Sequence, residues 1–102
     1  MNIGEYGIGG WNGTAGANIN LVDTIKTAVA TVDPNCHFAN AKTPGLQKVT
    51  IEAEAGSVLT INAGTNITMP ASGVLDIPFG TAYIYSIKFT AETSGVNIIF
   101  AY

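Results

Sequence analysis

GVNIIFAY, residues 95–102, is the stretch on which the fold turns. Taken with a period of two, Val96, Ile98, Phe100 and Tyr102 share one face, while Asn97, Ile99 and Ala101 share the other. Both faces are largely apolar, in a position where chains ordinarily fray. A strand of this kind is buried on two sides, either inside its own subunit or against another copy of it.

Working backwards from that strand, Glu92-Thr93-Ser94-Gly95 reads as a turn and Thr81 to Thr90 as the longest strand. Tyr83, Tyr85, Ile87 and Phe89 fall on one of its faces and Ile84, Ser86 and Lys88 on the other. Consecutive strands usually pair, so these last two are expected to form a hairpin at the heart of the core. Val74 to Ile77 is a short strand, with Pro78 favouring an edge or a strand end. VLTINAGTNITM (58–69) reads as a hairpin with a three-residue loop at Ala63-Gly64-Thr65. Val49, Ile51, Ala53 and Ala55 alternate with Lys48, Thr50, Glu52 and Glu54, the mark of a strand with one wet face. About six strands within the last 57 residues predict a mainly β fold, an antiparallel β-sandwich or barrel of jelly-roll-like character.

The front of the chain differs. Residues 1–20 hold six of the twelve glycines and read as an N-terminal arm, with 21–102 as a single β-rich domain. Tyr6, Ile8 and Trp11 are the arm's docking residues, either onto a partner or back onto the subunit's own sheet. The spacing of Leu21, Val22, Ile25, Val29 and Val32 predicts a short helix over 21–32, capped by Asn20 and stopped before Pro34. DPNCHFANAKTPG (33–45) reads as a loop anchored by Phe38.

Composition narrows the function. Only 11% of the 102 residues are charged, against about 25% in ordinary domains, and arginine is absent. Four lysines against seven carboxylates give a net charge of -3, which is the wrong field for a phosphate backbone, so nucleic acid is set aside as a ligand. No run of about 18 apolar residues marks a membrane span, and no signal peptide is expected. The single cysteine, Cys36, leaves no internal disulfide to be formed.

Catalytic, cofactor and metal constellations are not expected either. Cys36 and His37 are neighbours on one loop, whereas thiol–imidazole catalysis brings its partners together from separate parts of a fold. An enzyme would need a pocket joining His37 with Asp33 or a glutamate. Glu52 and Glu54 read as a solvated strand face, and the early glycines lack the G-x-G-x-x-G spacing of a dinucleotide site. Trp11, Tyr83 and Tyr85 could stack on sugar rings, although the two tyrosines alternate in register with Ile87 and Phe89 as core residues would. A carbohydrate-binding β-sandwich module is therefore the alternative reading.

An almost uncharged surface and surplus apolar strand faces predict self-association, with Ile84, Val96, Ile98, Ile99, Phe100 and Tyr102 in the interface of a homotrimer. The stretch KVTIEAEAGSVLTINAGTNITMPASGVLDIPFGTAYIYSIKFTAETSGVNIIFAY (48–102) resembles the small β-rich modules of tailed-bacteriophage head fibres, decoration proteins and tail tips. That resemblance implies a non-enzymatic structural or attachment protein of a virion, made in the host cytoplasm. Its partners would be copies of itself, other virion proteins met through the arm, and a cell-surface glycan.

Overall fold

The computed structural model describes residues 7–62, 64–77 and 83–102. Among them are strand β1 (Ile8–Ala15), helices α1 (Leu21–Val32) and α2 (His37–Asn40), and strands β2 (Lys48–Glu52), β3 (Val58–Ile61), β4 (Ile67–Thr68), β5 (Val74–Ile77), β6 (Ile87–Phe89) and β7 (Thr93–Ala101). The strands form two antiparallel sheets, one in the order β1-β7-β2-β5 and one in the order β4-β3-β6. The result is sandwich-like and does not close into a barrel.

β7 answers the question posed by the terminal stretch. It lies between β1 and β2, so both of its edges are paired within the chain. The ladder reaches the last residue: Tyr102 N–H donates to the Gly7 carbonyl at 2.8 Å, and Gly7 N–H donates to the Tyr102 carbonyl at 2.9 Å. Val96, Ile98, Phe100 and Tyr102 face the core, with Val96 and Ile98 fully inaccessible. The Tyr102 ring lies 5.4 Å from that of Phe38 and 5.9 Å from that of Phe100, so three aromatics seal this end.

The first twenty residues are not an arm along their whole length, because residues 8–15 form the edge strand of the four-stranded sheet. The glycines are what the pairing needs. A Cβ at Gly9 would come within 2.9 Å of the Phe100 ring, and one at Gly7 would collide with the Tyr102 ring. Bare backbone beneath the two rings lets β1 lie flat where bulkier residues would push it away.

Helix α1 matches the expected 21–32, with Asn20 Oδ1 accepting from Val22 N–H at 3.0 Å and Leu21, Val22, Ile25 and Val29 buried. Val32, expected in the apolar stripe, is instead largely exposed. Within the expected 33–45 loop, one turn of helix forms at α2, capped by the Cys36 sulfur and anchored by the buried Phe38.

Two pairings and one strand depart from the sequence reading. β6 and β7 do not form a hairpin: β6 pairs with β3 and β7 with β1 and β2, so the intervening chain crosses from one sheet to the other. The 58–69 hairpin pairs Leu59 with Ile67, which leaves a loop longer than three residues. The expected 81–90 strand breaks, since Ile84, Ser86, Ile87 and Phe89 are all buried while Tyr83 and Tyr85 are exposed. Strict alternation cannot bury both Ser86 and Ile87, so the face changes there.

Two asparagines hold that change of face. Asn62, with φ of 55°, accepts from the N–H groups of Tyr85 at 2.9 Å and Ser86 at 3.2 Å, and donates to the Tyr83 carbonyl at 2.9 Å. Asn20, besides capping α1, accepts from Ile87 N–H at 3.1 Å and donates to the Tyr85 carbonyl at 3.1 Å. Side-chain amides thus supply the partners that a ladder would have given this segment.

Candidate binding surfaces

The four-stranded sheet packs its inner face on α1 and the second sheet, and among the described residues no element packs on its outer face. Strand register fixes what stands there in rows. One row runs Asn12, Asn97, Glu52, Val74 across β1, β7, β2 and β5. The next runs Gly10, Ile99, Thr50, Asp76, and the third places Ile8, Ala101 and Lys48 side by side.

The charged end of this face is internally paired. Lys48 Nζ and Thr50 Oγ1 donate to Asp76 Oδ1 at 3.0 and 2.6 Å. Those hydrogen bonds, Thr50's first and then Lys48's, hold the Asp76 carboxyl below its ordinary pKa, against the opposing effect of desolvation.

The other end differs. Asn12, Asn97 and Glu52 are exposed, and among the described residues none of the three side chains has a hydrogen-bond partner within the chain. Beside them Ile99 stands 56% exposed, with no side chain on Gly10 to cover its flank. Gly10, Trp11, Asn12, Glu52, Asn97 and Ile99 border an open depression of about 360 Å³. A second depression, of about 460 Å³, lies between the 54–58 and 90–94 turns, with Glu54 and Glu92 on its rim.

Of the six residues expected in an oligomer interface, Ile84, Val96, Ile98, Phe100 and Tyr102 are spent on the subunit's own core. Only Ile99 is presented to solvent. The reason is that the helices and the β4-β3-β6 sheet share a core with the inner face of β7, while β1 pairs along its edge, so the strand faces that look surplus in the sequence are covered within the chain. Of the docking residues, Ile8 is 81% exposed, Trp11 is half-buried against the core, and Tyr6 lies outside the described residues.

Tyr83 and Tyr85 are 49% and 40% exposed, contrary to the core role that alternation gave them. The Tyr83 ring lies on Gly45, where any Cβ would collide with it, and its hydroxyl donates to the Thr43 carbonyl. Cys36 is buried and its Sγ accepts from Ala39 N–H at 3.4 Å, whereas His37 points to solvent. Asp33 Oδ2 accepts from the Tyr102 hydroxyl at 3.4 Å. Among the described residues no group of three or more His, Cys, Asp or Glu side chains is placed to hold a metal ion. No helix among them is long and apolar enough to cross a membrane.

Comparison with protein-family models, curated proteins and solved structures finds no match to this chain.

In the sequence Glu52 reads as wetted surface and Asn97 as one member of the second face of the last strand, and neither asparagine stands out as a site residue. The signal was present: asparagine is a poor strand residue, yet one interrupts IGGWNGTA and another GVNIIFAY. That the two stand opposite one another follows only from pairing the first described strand with the last.

Proposed function

We propose that this chain is a non-enzymatic structural and attachment module that assembles with copies of itself, of the type carried on tailed-bacteriophage particles. The observation that carries self-association is the outer edge of β1. This eight-residue strand has no charged side chain and no proline, and among the described residues no strand pairs with that edge. Edge strands left on their own are ordinarily short, charged or bulged, and β1 has only a bulge at its far end, between Gly13 and Ala15. At the opposite edge, β5 has four residues and carries Asp76.

The pairing of Gly7 with Tyr102 fixes which groups face outward. By antiparallel alternation Gly9 and Trp11 bond to β7, so the N–H and C=O groups of Ile8, Gly10 and Asn12 face away from it. Joining β1 to β1 of a second copy produces a twofold dimer; joining β1 to β5 of the next copy is the head-to-tail contact that a homotrimer requires, and it closes a ring where the rotation between copies is a third of a turn. The exposed Ile8 flank is then the surface offered to other particle proteins, and a virion assembled in the host cytoplasm is the setting.

Light scattering on a sizing column tests this. The wild-type chain is expected at a multiple of its monomer mass at micromolar concentration. Ile8→Pro, which removes an outward N–H that no other strand uses, should give a folded monomer. A monomeric wild type contradicts the reading.

A second reading, a carbohydrate-binding module, is favoured by the exposure of Tyr83 and Tyr85. It is compatible with attachment, and alanine at either tyrosine tests it by retention on immobilised glycans.

A further inference from the structure

We propose that the outer-face row Asn12, Asn97 and Glu52, with Ile99 beside it, is a binding site for a neutral sugar. The inference rests on the attachment reading and names the chemistry of what is attached to.

The first argument is what the asparagines do not do. Asn20, Asn40 and Asn62 each spend their side-chain amides on backbone groups, and their positions are explained by that. Asn12 and Asn97 sit directly opposite one another in mid-ladder, where asparagine is disfavoured, and no hydrogen bond among the described residues repays the cost. A local rule broken without structural return marks a functional position.

The second is the chemistry of the row. Each amide offers a donor pair and an acceptor, and Glu52 offers acceptors only. Set one strand apart, at about 4.8 Å, they present mixed donors and acceptors over roughly 10 Å, which suits hydroxyl groups that both give and receive. Ile99 and the bare backbone at Gly10 supply an apolar shelf for the C–H face of a sugar ring.

The third is exclusion by charge. Lys48, on the same strand, is engaged by Asp76, and among the described residues Glu52 has no ion-pair partner. Phosphorylated and sulfated ligands meet repulsion there. A single carboxylate is also short of the six or more oxygens a calcium ion takes.

The test is a titration of the isotope-labelled full chain with neutral monosaccharides and short oligosaccharides of glucose, galactose, mannose and N-acetylglucosamine, followed by amide chemical shifts. Shifts are expected at residues 10–12, 50–52 and 97–99 with millimolar affinity, and Asn97→Thr should weaken binding about tenfold or more. The same substitution should leave the fold at least as stable as wild type, since threonine is the better strand residue; a structural asparagine would destabilise on replacement. Shifts confined to residues 43–45 and 83–85 would overturn this site and move sugar binding to the tyrosines. No shift with any sugar would overturn the inference, while the mass measurement would still stand as the separate test of self-association.

Discussion

Asn62 shows how much one side chain can organise. It sits in the left-handed region and closes three hydrogen bonds to the segment that changes face between Tyr85 and Ile87. Asn62→Ala loses all three and puts a Cβ without amide compensation at φ of 55°, so a loss of about 2–4 kcal/mol is expected in denaturant unfolding. Asn62→Gly keeps the backbone at ease and should recover about 1 kcal/mol of that. Wild-type stability in both would contradict the clamp. At the far end of the chain, burial and then the Asp33 charge raise the Tyr102 hydroxyl above its ordinary pKa of about 10. The folded state therefore holds the phenolic proton more tightly than the unfolded one. That contribution is complete below about pH 10 and is lost as pH rises through the folded value. Tyr102→Phe should make stability fall less steeply in that alkaline range, and an unchanged slope would count against it.

At the scale of elements, β1 pairs its glycines with aromatic residues on β7. Gly9→Ala forces a Cβ against the Phe100 ring and should cost about 1–3 kcal/mol. Gly10→Ala, whose Cβ would meet nothing closer than the Ile98 carbonyl at 3.7 Å, should be neutral or slightly stabilising. Equal effects at the two positions would refute the arrangement. Helix α1, β5 and the inner face of β2 were legible because each rests on local periodicity and local stop signals. β1 was not, because a glycine-rich stretch reads as an arm until Phe100 and Tyr102 are known to lie over it. The β6–β7 hairpin failed for a related reason: a short turn looks the same whether it joins strands in one sheet or carries the chain between two. The polar row was hidden for longer, since its three members come from three strands that only the register unites.

Across the whole molecule, the two sheets and α1 share one core, in which Phe89, Ile87, Leu59, Ile51, Ile98 and Ile25 are all fully buried. Phe89→Ala should cost about 3–5 kcal/mol and lower the single unfolding transition as a unit, because no layer keeps a core of its own. What this shared core leaves outside is the outer sheet face and the edge of β1, and both parts of the functional account stand on them. Amide hydrogen exchange along β1 is the most direct measurement. Gly9, Trp11 and Gly13 bond to β7 and should be protected in any state of assembly, which makes them the internal control. If copies join through this edge, Ile8, Gly10 and Asn12 should be protected too, and should lose that protection in Ile8→Pro at the positions that remain. Rapid exchange at Ile8, Gly10 and Asn12 in the wild-type chain at micromolar concentration would contradict the account.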